Sequence, residues 1–141
     1  MTASPSTTGS SATAQTFALM VLGSSASQAQ ISALNFARAA LHAGHRVMRV
    51  FFFSEGVTAG NTQFVPAPDT DGLTAQWAEI AATNGIDLVV CSTSAVRRGV
   101  LDAGEARRHD RALSLDNHFD IAGLGQWVEA CLLADRVVSF G

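Results

Sequence analysis

The chain has 141 residues, 48% of them hydrophobic and 15% charged, which suits one domain with its own core and excludes a disordered body. Its net charge of −3 gives no basic footprint for direct nucleic-acid binding. All nine basic residues are Arg. Without Lys, the chain cannot be a Schiff-base enzyme, a pyridoxal-phosphate enzyme or a P-loop nucleotidase.

The amino-terminal segment differs in composition from the rest of the chain. Residues 1–15 are mostly Ser, Thr, Ala and Gly without any charge, and we expect a disordered tail followed by one domain over residues 16–141. The first apolar run, residues 17–22, is too short for a membrane span or a signal-peptide core. We therefore expect a cytoplasmic protein with reduced thiols and no membrane contact.

Short apolar strands alternate with helices that carry one apolar stripe. Continuous apolar runs predict buried strands over residues 17–22, 47–53 and 87–91, and shorter strands over residues 119–122 and 137–140. Helical spacing predicts three helices, with stripes Ile31-Leu34-Ala37-Leu41, Leu73-Trp77-Ile80-Asn84 and Leu124-Val128-Cys131-Leu132. Gly44 and Gly85 are expected to end the first two. This alternation predicts a single three-layer, flavodoxin-like α/β domain with a mostly parallel sheet.

Cys91 is the candidate nucleophile. It ends the strand over residues 87–91, at the sheet edge where open α/β folds place their sites. Ser92, Thr93 and Ser94 offer N-cap hydroxyls for a short helix that reaches Arg98. The positive end of that helix, Ser92, Arg97 and Arg98 would all favour a thiolate. The alternative is that Cys91 is a small hydrophobic residue closing a buried strand.

The other candidate features have ordinary structural interpretations beside functional ones. Cys131 lies on an apolar stripe and is expected in the core. The loop over residues 23–27 could hold a phosphate, as in a flavin or nucleotide binder, but a plain strand-to-helix connection is favoured. No Cys or His pair has metal-ligand spacing, and no cofactor is expected. His42, His45 and His109 are expected at the surface, and His118 is left open.

The loop over residues 55–72 is long and rich in Gly, Pro, Asn and Asp, which is typical of a loop with a function. It also carries an apolar cluster that cannot be core strand: Phe64, Val65, Pro66 and Pro68. We expect this cluster either to roof the pocket of Cys91 or to meet a neighbouring subunit.

The residues around Cys91 resemble the cysteine segment of the DsrE/TusD family. Residues 90–100, Val-Cys-Ser-Thr-Ser-Ala-Val-Arg-Arg-Gly-Val, have a strand-end Cys followed by Arg-Arg-Gly-Val as in that family. Residues 52–57, 121–125 and 135–140 resemble its second strand, the start of its last helix and its terminal strand. The resemblance spans residues 17–140 and leaves the tail without a counterpart.

This resemblance implies a sulfur relay. The position of Cys91 would accept sulfur from a donor as a persulfide and pass it to a partner protein with a reactive cysteine. The resemblance also implies homologous subunits in a heterohexamer-like assembly, and a role in 2-thiolation of the tRNA wobble uridine or in dissimilatory sulfur oxidation. The alternatives are a subunit of such a complex that carries no sulfur, and the flavin or nucleotide binder.

Overall fold

The computed structural model describes residues 13–141 and contains one five-stranded sheet in which every strand pairing is parallel. The strands lie in the order β4-β3-β2-β1-β5. Their bounds are β1 Thr16–Val21, β2 Arg46–Phe52, β3 Asp87–Cys91, β4 Phe119–Ala122 and β5 Arg136–Phe140. The sequence prediction of a single α/β domain with a parallel sheet is confirmed.

Five α-helices and one 3₁₀ helix connect the strands within residues 13–141. They are α1 Gln28–His42, the 3₁₀ helix Ser54–Gly60, α2 Leu73–Asn84, α3 Ser92–Arg97, α4 Ala103–His109 and α5 Gly125–Leu133. Glycines at positive φ follow α2 and α3, at Gly85 and Gly99, where an L side chain would be strained. Within this part of the chain no helix has the length and hydropathy to cross a membrane.

The strand order explains why the two faces of the sheet are covered unequally. From β1 to β4, each new strand is added on the same side of the strand before it. Because such crossovers are right-handed, all the connections between these strands pack on one face of the sheet. The step from β4 back to β5 reverses direction and places α5 on the other face. One short helix therefore covers the second face.

The core follows this division. The main cluster joins α1 and α2 to one face of the sheet and contains Leu19, Leu34, Phe52, Trp77 and Leu88, all fully or almost fully buried. The second cluster consists of Phe51, Val89 and Cys91, with four half-buried residues against it: Met20, Phe53, Ala122 and Trp127. Cys91 therefore lies on the thinly covered face.

The stripe predicted to pack α5 into the core points outward. Leu124, Val128 and Leu132 are exposed, and Cys131 is exposed rather than buried. The helix packs instead through Ala130 and Trp127, whose ring lies 6.1 Å from that of Phe51. Apolar residues occupy two sides of this helix, and periodicity alone does not say which side packs internally.

Arg49 fastens α5 to the sheet, and nothing in its sequence neighbourhood predicted this. Its guanidinium is buried on β2 and reaches Asp87 at 3.1 Å, Glu129 at 2.8 Å and the carbonyl of Gln126 at 2.8 Å. Burial lowers the pKa of Arg49, but hydrogen bonds and charges from Glu129 and Asp87 outweigh it and raise the pKa above its ordinary value. The side chain is therefore a permanent cation between sheet and helix.

A buried amide ties together the loops at the carboxyl edge of the sheet. Gln30 is fully buried in α1 and donates to the carbonyls of Gly23 at 2.8 Å and Gly56 at 3.3 Å. Its carbonyl oxygen accepts the indole N–H of Trp77 at 3.1 Å. This network fixes the 3₁₀ helix over the ends of β1 and β2.

Other predictions were incomplete. Helix α4, capped by the carboxylate of Asp102, was not predicted, and Ile31 lies on the exposed side of α1 rather than on its buried stripe. The predicted tail, residues 1–15, falls largely outside the described residues. At its end, Gln15 donates its N–H to His45 and accepts the N–H of Arg46, so Gln15 is tied to the start of the sheet.

Candidate active site around Cys91

Cys91 lies where a parallel strand ends and a helix begins. It is the last residue of β3 and the N-cap residue of α3, and only 3% of it is exposed. Its backbone is extended, at φ −64° and ψ 124°, so α3 starts directly after it. The free N–H groups of the first turn of α3 therefore lie beside this thiol.

The thiol faces a cavity of about 410 Å³ at the carboxyl edge of the sheet. The cavity is formed by the residues that follow β2, one side of α3 and the segment between β4 and α5. Its lining residues are Phe53, Ser54, Cys91, Thr93, Ser94, Arg97, Arg98, Gly123 and Leu124. The alternative that Cys91 only closes a strand does not account for this opening.

Two of the three residues predicted to assist Cys91 lie at the cavity, and they differ in their partners. Arg98 forms an ion pair with Glu55, Nε to Oε2 at 2.7 Å, and donates to the carbonyl of Ser94 at 3.1 Å. Arg97 is exposed and forms no ion pair within residues 13–141. Arg97 therefore carries the uncompensated positive charge, while Arg98 ties α3 to the 3₁₀ helix.

The predicted capping role of the serines is wrong. No side chain caps α3, because Cys91 itself occupies the N-cap position, and Ser92 does not line the cavity. Ser94 is buried, and its hydroxyl accepts the backbone N–H of Ser54 at 2.9 Å. Ser54 has a positive φ of 55°. This bond holds a residue in the left-handed region at the wall of the cavity.

The apolar cluster of the long loop does not roof Cys91. Phe64, Val65 and Pro66 line a different cavity, of about 810 Å³, together with the loop that follows β1. Val65 is almost fully exposed. Part of the loop predicted for residues 55–72 is the 3₁₀ helix Ser54–Gly60, which separates the two cavities.

The loop after β1 is a poor phosphate cradle because three of its five backbone amides are already bonded. The N–H of Ser25 is donated to Thr58, that of Ala26 to the hydroxyl of Ser24, and that of Ser27 to the carbonyl of Ser24. A phosphate would have to displace these bonds. The geometry does not favour the flavin or nucleotide alternative.

The remaining candidates lie away from the cavity. His118 is exposed and bonds to Asp116 of its own turn at 2.9 Å. His109 lies 3.3 Å from Glu105 on α4. Within residues 13–141, no group of three or more His, Cys, Asp or Glu side chains could hold a metal ion.

The fold is shared with a solved structure. The crystal structure of the ychN protein from E. coli superposes with a TM-score of 0.70, covering 89% of this chain and 99% of that one at 22% identity. At this identity the likeness concerns the fold alone. It places the chain among parallel α/β proteins of this kind.

The chain belongs to the DsrE/DsrF-like family, whose model matches residues 4–140. The DsrE protein of Allochromatium vinosum is 45% identical over 81% of this chain and 88% of its own length. The sulfurtransferase TusD homolog of Pseudomonas aeruginosa is 42% identical over 89% of this chain and 96% of its own. The sulfurtransferase TusD of Enterobacter sp. (strain 638) is 41% identical over 88% of this chain and 98% of its own length. The family resemblance and the sulfurtransferase class expected from the sequence are confirmed.

Proposed function

We propose that this protein is a sulfur-relay sulfurtransferase that carries sulfur as a persulfide on Cys91. The observation that supports this most directly is that the Cys91 thiol, otherwise buried, faces a cavity at the carboxyl edge of the sheet. The relatives named sulfurtransferase match the domain over most of its length. A cytoplasmic location, where thiols stay reduced, suits this chemistry.

The transfer needs no oxidant or reductant. The Cys91 thiolate attacks the outer sulfur of a donor cysteine persulfide, a new S–S bond forms, and the donor leaves as a thiolate. In the second step an acceptor thiolate attacks that outer sulfur, and the Cys91 thiolate is released. Each step breaks one S–S bond and forms one.

The cavity has room for both steps. An S–S bond of about 2.05 Å carries the outer sulfur away from the buried Sγ and into the cavity. The 410 Å³ of the cavity is roughly fourteen times the volume of one liquid water molecule, about 30 Å³. A donor or acceptor side chain can therefore enter with its cysteine while the persulfide is in place.

Arg97 is the residue we assign to the charge on sulfur. The thiolate and the persulfide are both anions, and Arg97 lines the cavity without a carboxylate partner in the described part of the chain. Arg98 is neutralised by Glu55 and is a positioning residue instead. Arg97→Gln should therefore slow sulfur uptake more than Arg98→Gln does.

Homologous subunits are the partners we propose besides donor and acceptor. The second face of the sheet leaves an apolar surface on α5 and β5, and Leu132 is 80% exposed. The exposed residues of this apolar surface are Leu124, Val128, Leu132, Leu133 and Val137. Leu124 also lines the Cys91 cavity, so a subunit on this surface would complete one wall of the site. The sulfur would then go to tRNA thiolation or sulfur oxidation, the two routes that the family resemblance implies.

Intact-mass spectrometry tests the central step. The exposed Cys131 would confuse the result, so the parent for the experiment is Cys131→Ser, which leaves one thiol. Incubation with glutathione persulfide should add about 32 Da, one sulfur atom, to this variant. The Cys91→Ser, Cys131→Ser double variant should gain nothing.

A second measurement separates the carrier from a subunit without sulfur chemistry. The labelled Cys131→Ser protein should lose the added mass when an acceptor thiol is supplied, and the acceptor should gain it. A protein that stays unlabelled, or whose sulfur cannot be removed by any thiol, would leave only the non-catalytic alternative.

A further inference from the structure

A second concave site lies next to the Cys91 cavity and shares a residue with it. This cavity has a volume of about 560 Å³ and lies between the ends of α3 and α4. Arg97, which also lines the Cys91 cavity, forms part of its wall with Arg111 and His109. No carboxylate lines this cavity within the described part of the chain.

The positive charge of this cavity is only partly compensated nearby. The Arg111 side chain donates to the backbone carbonyls of His109 and Asp110, both at 3.2 Å, and these are neutral acceptors. Of the carboxylates of α4 and its C-terminal end, Glu105 is engaged with His109 at 3.3 Å and Asp110 is exposed. Two guanidinium groups therefore face the cavity without an ion pair.

The floor of the cavity is apolar. Val96, Leu101 and Leu113 line it, and Leu113 is exposed. The residues that line this cavity do not belong to α5 or β5, which carry the surface assigned to homologous subunits. A ligand that fits must combine negative charge with apolar side chains, which describes a short acidic peptide better than a simple inorganic anion.

We propose that this cavity docks an acidic segment of the sulfur acceptor protein, a few residues from the acceptor's reactive cysteine. This proposal rests on the proposed function and adds the chemistry of the partner. Because Arg97 lines both cavities, a segment held at Arg111 lies next to the cavity that Cys91 faces. Charge complementarity of this kind sets which partner binds and how fast it arrives.

Two fluorescent peptides test the binding. They contain Ser in place of the reactive cysteine and differ only in carrying two Glu or two Gln beside it, and the protein is the Cys91→Ser variant. The Glu peptide should bind about tenfold more tightly in anisotropy titrations, and rising salt should remove the difference. Arg111→Gln should reduce the preference to about twofold.

Arg107→Gln is the matched control. Arg107 is exposed on α4, outside the cavity, and its replacement changes the net charge by the same amount. This variant should keep the preference of the parent. Equal binding of the two peptides, or the same loss in Arg107→Gln as in Arg111→Gln, would overturn the proposal in favour of general charge attraction.

The same peptides with the cysteine restored add a transfer readout. With persulfide-loaded protein, Arg111→Gln should raise KM for the Glu peptide about fivefold, as in the binding assay, and leave kcat unchanged, because Arg111 lies outside the Cys91 cavity. If no peptide collects sulfur, the proposed function fails while the binding result still decides the docking site.

Discussion

Arg49→Met is the perturbation whose cost follows most directly from the structure. The change removes two ion pairs, with Asp87 and Glu129, and a hydrogen bond to the carbonyl of Gln126. The Arg49 side chain is 9% exposed, whereas both carboxylates are more than half exposed and can be rehydrated.

The magnitude comes from adding these terms. Each half-exposed pair contributes about 0.5–1 kcal/mol, and the bond from a charged donor to a carbonyl contributes about 1.5 kcal/mol. Met recovers part of this loss, because it packs in the same space and removes the buried Nε of Arg49, which has no partner within residues 13–141. We expect the free energy of unfolding to fall by about 2 kcal/mol.

Thermal unfolding by circular dichroism is the assay. In a domain of this size about 2 kcal/mol corresponds to roughly 6–10 °C in Tm. Arg46→Met is the control, since Arg46 is an exposed arginine of the same strand without an ion pair in the described residues. The sulfur uptake of Arg49→Met should also fall, because α5 follows directly on the cavity wall at Gly123 and Leu124. Equal melting temperatures for the two variants would refute the role assigned to Arg49.

Three further outcomes follow from exposure and packing. In the Leu132→Asp variant, in which no subunit should cover α5, the exposed Cys131 should react with a bulky maleimide well before Cys91, as followed by peptide mass mapping; the opposite order would contradict the orientation of α5. Gly56→Ala should reduce stability by about 3 kcal/mol in urea unfolding, since a Cβ there would meet the carbonyl oxygen of Val21; an unchanged midpoint would mean that the 3₁₀ helix can move away. Leu132→Asp should prevent assembly with co-expressed homologous subunits, so that light scattering shows the 14.7 kDa monomer in place of a complex; assembly equal to that of the parent chain would remove this part of the proposed function.

Elements with strong local signals were predictable to the residue. Strand β3 and helix α2 have the predicted bounds, because a continuous apolar run and a helical stripe closed by Gly85 leave little choice. The position of Cys91 followed from the rule that parallel strands present their carboxyl ends at one edge. Helix α4 had a signal that was overlooked: Asp102 followed by Glu105 is an N-terminal capping pattern.

What could not be predicted depends on partners distant in sequence. Arg98 and Arg97 are equivalent in the sequence, and only the approach of Glu55, 43 positions away, neutralises one of them. Arg49 finds Glu129 80 positions away. The outward side of α5 was predicted to lie in the core, because the sequence of one chain does not distinguish an apolar stripe that packs on its own sheet from one that another subunit could cover.

The position of β5 has a consequence for how the chain folds. Strand β1, at residues 16–21, pairs with β5 at residues 136–140, and the pairing is closed by Asp135, whose carboxylate accepts the N–H of Thr16 at 2.8 Å. Strand β1 is therefore synthesised more than 100 residues before the strand that it pairs with on this side. Until β5 has been synthesised and has paired, one side of β1 keeps unpaired backbone groups, and the nascent domain is exposed to aggregation at that edge. Removal of residues 136–140 should for this reason leave β1 as the unpaired edge of the sheet and promote aggregation.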